Sequence, residues 1–162
     1  MNKVLLIVDM QNGFMNHENY KKLSKKIDEY IRLTKYDLYI FTKFINKKKS
    51  LYENKLNWTN LQDNVSQSIC VNVPDKAIII EKNGYGLAQK DLEKIKKLEV
   101  KTIDICGLQT DACVYAISFQ LWDNEIFPNI LINYTATDPA KEKQAKQMLI
   151  HQFGKVDETS VQ

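Results

Sequence analysis

Short apolar runs set the rhythm of the chain: Val4-Leu5-Leu6-Ile7-Val8, Leu38-Tyr39-Ile40-Phe41, Ala77-Ile78-Ile79-Ile80, Ile103 to Cys106 (broken by Asp104), and Ile130-Leu131-Ile132. Each is bounded by polar residues, the pattern of a strand covered on both faces. Between the runs the apolar period changes. Leu23, Ile27, Tyr30 and Ile31 fall at i, i+4, i+7 and i+8, and Leu92, Ile95 and Leu98 at i, i+3 and i+6. Val114, Ile117 and Leu121 form a third stripe, and Ala145, Met148 and Leu149 a fourth. These are helix faces. Strands alternating with helices predict right-handed βαβ crossovers and a doubly wound parallel sheet with helices on both sides.

Two stretches break the rhythm. Residues 42–75 are too long for a simple strand-to-helix loop, so a short helix around 58–65 and a functional excursion are expected there. Beyond Phe153 the pattern weakens, and 156–161 reads either as a short edge strand or as a frayed tail. No internal repeat, low-complexity tract or interdomain linker divides the 162 residues, so 1–162 is read as one domain. No run approaches the ~18 apolar residues of a membrane span. Val4 to Val8 stops at Asp9, short of the about 7–15 residues of a secretory apolar core.

Composition narrows the chemistry. The net charge is only +3, and Arg32 is the sole arginine among 23 basic residues. Nucleic-acid readers depend on the bidentate fork of arginine, so a nucleic-acid partner is unsupported. Lys47, Lys48 and Lys49 read as a solvated loop. Cys70, Cys106 and Cys113 are odd in number and irregularly spaced, which suits reduced thiols in a cytoplasm. Two histidines, His17 and His151, cannot build a three-histidine metal site, and no C-x-x-C pair exists for a zinc site.

In doubly wound sheets ligands bind outside the carboxyl ends of the strands. Asp9 follows the first run, Glu81-Lys82-Asn83-Gly84 the third, and Gly107-Leu108-Gln109-Thr110-Asp111-Ala112-Cys113 the fourth. A carboxylate, an ammonium and a thiol therefore share one rim. Cys113 falls in the first turn of a helix that Thr110 or Asp111 would cap, and the positive helix end would lower its pKa. The same position also suits a small buried hydrophobe, the reading given to Cys70 and Cys106. Asp9 suits either a turn cap or a proton carrier, and Lys82 alone is an ordinary solvated strand end. Together they make chemical sense. A thiol attacking a carbonyl needs a base for its proton and an acid for the leaving group, and Lys82 would hold the carboxylate charged.

These segments resemble the isochorismatase-like cysteine hydrolase superfamily, which includes nicotinamidases and related amidases. The resemblance runs from Val4 to about Gly154 and rests on Leu6-Ile7-Val8-Asp9-Met10-Gln11-Asn12-Gly13-Phe14, on Ile80-Glu81-Lys82-Asn83-Gly84-Tyr85, and on Gly107 to Val114. It implies a six-stranded sheet in three layers, so the expected fold is a Rossmann-like, three-layer α/β/α doubly wound parallel sheet of five to six strands. It also implies a catalytic triad of Asp9, Lys82 and Cys113, a cis peptide at Leu108–Gln109, and an oxyanion hole made by the backbone N–H groups of Gln109 and Cys113. Family members are commonly homodimers or homotetramers, and Trp122, Phe127 and Pro128 are candidates for such an interface.

Departures from the family pattern carry information too. Metal-dependent nicotinamidases have an Asp and His residues after the second strand, where this chain reads Phe41-Thr42-Lys43-Phe44-Ile45-Asn46. No metal and no cofactor is therefore expected. True isochorismatases lack the cysteine. Gly86-Leu87-Ala88 stands where relatives often have Ser-Ala-Phe, and an expected acid is missing near Asn133-Tyr134, so substrate identity does not carry over. The expected activity is a metal-independent cysteine amidohydrolase, forming a thioester on a small carboxamide-type substrate. Gln11, Phe14 and Tyr85 are candidate pocket residues. The alternative is a catalytically silent, flavodoxin-like module that binds a metabolite or partner. A phosphoryl receiver is disfavoured, because no phosphoacceptor Asp ends a middle strand.

Overall fold

The computed structural model describes residues 3–154. The strands β1 (Val4–Val8), β2 (Leu38–Phe44), β3 (Ile78–Lys82), β4 (Thr102–Leu108) and β5 (Phe127–Ala136) form one wholly parallel sheet in the order β3-β2-β1-β4-β5. Strand order reverses between β1 and β4, which opens a crevice at their carboxyl ends. Five strands stand among the described residues, where the resemblance implied six. Residues 156–161 lie outside the described residues.

Alternation along β1 divides the core in two. Val4, Leu6 and Val8 point to one face, where they meet Leu92 and Ile95 of α4 (Gln89–Lys96), Val114, Ile117 and Leu121 of α5 (Cys113–Asp123), and Leu149 and Phe153 of α6 (Glu142–Phe153). Leu5 and Ile7 point to the other, against Leu23, Ile27, Tyr30 and Ile31 of α1 (Glu18–Leu33). The four helical stripes read from the sequence are thus the four faces that cover the sheet. All five residues of β1 are buried, as a strand covered on both sides requires. Gly107 lets β4 run close beside β1. It has φ +116°, and a Cβ there would collide with the backbone of Val8.

The excursion after β2 departs from expectation. In place of one helix over 58–65 there are two shorter ones, α2 (Leu51–Leu56) before that stretch and α3 (Asn64–Gln67) overlapping its end. Side-chain caps decide their positions. The Ser50 hydroxyl accepts from the Glu53 amide, the Asp63 carboxylate accepts from the Ser66 amide, and Asn57, in the left-handed region, ends α2 before Trp58. Ser50-x-x-Glu53 was a readable start signal. The surface has a second correction. Trp122 and Phe127 are partly exposed and pack on each other, but Pro128 is buried in β5 and unavailable to a partner. Among the described residues no helix is long and apolar enough to cross a membrane.

The packing yields a stability test. Leu6→Ala, at a fully buried central position, should lower unfolding free energy by about 2–5 kcal/mol. Ile79→Ala, on the half-exposed edge strand β3, should cost less than about 1 kcal/mol. Urea denaturation of both variants checks the contrast.

Candidate active site

Three strand ends and one helix start converge at the crevice. Asp9 follows β1 in the left-handed conformation (φ 49°), which aspartate tolerates better than most residues. Lys82 closes β3, two strands away, and its long side chain passes Phe44 on β2, with the ammonium 5.1 Å from that ring's centroid. The Lys82 Nζ lies 2.8 Å from Asp9 Oδ2 and donates to Cys113 Sγ at 3.2 Å. Both charged side chains are only 1% exposed. Such a pair survives burial only if its remaining hydrogen-bonding capacity is used. Lys82 also donates to the carbonyls of Gly84 (2.8 Å) and Tyr85 (3.3 Å), and the Thr42 hydroxyl donates to Asp9 Oδ1 at 2.6 Å. Thr42 in turn accepts the Asp9 backbone N–H. Sequence alone gave no sign of Thr42, because its role depends on the β1–β2 register that seats it beside Asp9.

The loop carrying those two carbonyls is itself clamped. Gln120 on α5 accepts from Leu87 N (2.7 Å) and donates to Leu87 O (2.9 Å). Its amide also fills the space a Cβ on Gly86 would need, which accounts for glycine there.

Electrostatics at the site run against one expectation. Burial, then the Asp9 carboxylate, push the Cys113 thiol above its ordinary pKa, and Lys82 only partly offsets them. The helix N-terminus does not overcome that desolvation, so the resting group is a neutral thiol beside a carboxylate. Burial draws the Lys82 ammonium down, but Asp9 and Cys113 outweigh it and hold the group above its usual value. Lys82 is therefore a fixed cation.

The β4–α5 connection has the cis peptide at Leu108–Gln109. The Ala112 and Val114 amides both donate to Gln109 O, folding 109–114 into a tight turn that starts α5. Neither expected side-chain cap forms. Ala112 occupies the cap position, Asp111 accepts from the Thr137 hydroxyl instead (2.6 Å), and Thr110 is fully buried. The reason is tertiary: the end of β5 claims Asp111. Gln109 donates its side-chain amide to the Tyr20 hydroxyl on α1, tying this turn to the opposite layer.

A cavity of about 320 Å³ opens over Cys113. Phe14 and Tyr85 line it, as does Gln109. Gln11 does not. It is fully buried, and its amide bonds the backbone of Phe44 and Gln67, so it fastens loops and does not face the pocket. Sequence reading missed Tyr20, Phe44, Tyr52, Trp58 and Asn60, which line the cavity too. The aromatic walls are mutually packed: Phe14 stacks near Trp58 (6.1 Å, 21°), and Tyr52 meets Phe44 and Tyr85 edge-on at 4.9 and 5.2 Å. Their density in the 42–85 region was the available signal.

The family model for the isochorismatase domain matches residues 3–159. The chain belongs to the isochorismatase family. Solved structures share its fold. The pyrazinamidase of Pyrococcus horikoshii, solved in complex with zinc, is 22% identical with a TM-score of 0.85, over 97% of this chain and 99% of that one. A Bacillus subtilis nicotinamidase is 18% identical (TM-score 0.81, 97% and 99% covered). An N-carbamoylsarcosine amidase from Thermoplasma acidophilum is 15% identical (TM-score 0.77, all of both chains). No curated protein matches the sequence.

Zinc in one of these isochorismatase-fold structures raises the question of a metal here. The donor set does not fit one. At the end of β2 Phe44 offers only a hydrocarbon ring, and just beyond it the Asn46 amide is engaged by neighbouring groups. Among the described residues no three His, Cys, Asp or Glu side chains gather into a possible cage.

The buried thiols and lysine set a pH dependence of stability. Burial raises Cys106 and Cys113, and lifts Cys70 to about 11. An unfolded thiol loses its proton near pH 8.5, while these keep theirs, so folding becomes less favourable above that pH. The stabilisation of the Lys82 ammonium is present below its unfolded value of about 10.4 and fades as pH rises through its higher folded value. Both act in one direction. The urea midpoint should fall steadily between about pH 8.5 and 10.5, and Cys106→Ala should flatten that slope.

Proposed function

We propose that this protein is a metal-independent cysteine amidohydrolase acting on a small, flat, uncharged carboxamide. The single observation that carries this reading is Lys82 Nζ held between Asp9 Oδ2 at 2.8 Å and Cys113 Sγ at 3.2 Å, with Cys113 lining the cavity above them. The family membership and the amidase names of its structural neighbours support the same class. The substrate class follows from the walls. They present six Phe, Tyr and Trp rings with His17 and neutral amides but no Asp, Glu, Lys or Arg, a lining that favours a flat, uncharged substrate body.

The chemistry balances with the groups at hand. Cys113 Sγ bonds to the carbonyl carbon as its proton passes to Asp9, and the carbonyl electron pair moves onto oxygen. The Gln109 and Cys113 backbone N–H groups would receive that oxyanion. Collapse breaks the C–N bond, and Asp9 returns the proton to the departing amine, which leaves as ammonia for a primary amide. Water then attacks the thioester, Asp9 takes its proton, and collapse releases the acid while the thiol is restored. Lys82 keeps its charge throughout and steadies the carboxylate in both roles. Substrate from the cytoplasm and assembly as a homodimer or homotetramer belong to the same reading, with exposed Trp122 and Phe127 as interface candidates.

A panel of aromatic and aliphatic carboxamides with ammonia detection tests it. Wild-type turnover should be lost in Cys113→Ala, should be indifferent to chelator, and should fall about 10²–10⁴-fold in Asp9→Asn. Turnover that survives without Cys113 sinks the proposal, and no turnover by the wild type favours a silent binding module. A second measurement separates the roles of Asp9. Because its charge raises the Cys113 pKa, Asp9→Asn should be alkylated by iodoacetamide at neutral pH faster than the wild type, although it hydrolyses amides more slowly.

A further inference from the structure

The aromatic wall of the cavity has no core of its own. The helix α2, which carries Tyr52, has no buried residue, and nothing between 46 and 60 belongs to either hydrophobic cluster. Tyr52 and Trp58 are half-buried and pack on Phe44 and on each other, but their backbone is tied down by one buried side chain. Asn46, just past β2 and 2% exposed, donates its amide to the carbonyls of Trp58 (3.0 Å) and Asn60 (2.8 Å). Its carbonyl accepts from the Ser50 hydroxyl (2.7 Å), which also caps α2, and its backbone N–H donates to Leu61 O (3.0 Å). Asn60, so held, donates to Gly13 O beside Phe14.

We propose that Asn46 is the positioning residue that sets the pocket's aromatic wall and hence its preference for ring-bearing substrates. Three parts of that wall are tied to it: α2 with Tyr52, the turn with Trp58, and, through Asn60, the loop with Phe14. The side-chain type follows from the task. A primary amide presents two N–H donors and an acceptor without charge, whereas aspartate has no donor and would face two carbonyls. Loss of the clasp loosens the wall and leaves the sheet and the triad intact, because neither draws on these bonds.

The kinetic half of the test rests on the amidase reading; the optical half does not. In a Trp122→Phe background Trp58 is the only indole. Asn46→Ala and Asn46→Asp should red-shift its emission and increase its quenching by acrylamide. For an aromatic carboxamide KM should rise about tenfold or more with kcat within about threefold, while kcat/KM for acetamide stays within about twofold of the parent. Ser50→Ala, which removes one bond of the clasp, should move every readout the same way by less, and serves if the Asn46 variants do not fold. Unchanged Trp58 emission and quenching overturn the proposal, as does an equal loss of kcat on both amides. A parent enzyme that hydrolyses no amide defeats the amidase reading alone, and the fluorescence then decides the clasp.

Discussion

The arrangement depends on a buried ion pair with a thiol laid across it. Lys82 and Asp9 are both withdrawn from water, and hydrogen bonds from the surrounding structure help their attraction to offset that desolvation. Thr42 takes one carboxylate oxygen, the Gly84 and Tyr85 carbonyls take the ammonium, and Gln120 holds the loop that presents those carbonyls. Four strand or helix ends must meet within hydrogen-bonding distance for this, and a parallel doubly wound sheet brings strand ends to one rim by construction.

The same pair explains the state of the Cys113 thiol. A thiol at a helix start next to an ammonium reads as a ready thiolate, but it is also largely desolvated and sits beside a carboxylate. Desolvation and the second charge outweigh the helix end, so the resting thiol keeps its proton. Under the amidase chemistry proposed above, Asp9 would then have to take that proton as the carbon–sulfur bond forms.

Much of this was legible along the chain. The apolar runs and helical stripes forecast the layers because period follows directly from geometry, and Asp9, Lys82 and Cys113 stood out because each lies at or shortly beyond the carboxyl end of a strand. The misreadings have a common cause. Asp111 looked like a cap, Gln11 like a pocket residue and Pro128 like surface, and each was reassigned by a partner distant in sequence: Asp111 by Thr137, Gln11 by Phe44 and Gln67, Pro128 by the pairing of β5 with β4. The helix expected over 58–65 gave way to two others because their caps, Ser50 and Asp63, outrank apolar content in setting helix starts.

By itself the sequence determined the fold class, the family and the three groups that meet at the crevice, since these depend on local period and on residue type at strand ends. Only the tertiary structure decided the rest. Which hydroxyl braces Asp9, whether Cys113 rests as thiol or thiolate, and which rings wall the cavity all depend on distances between residues far apart in the chain. Register and burial set those distances, and neither is encoded at any single position.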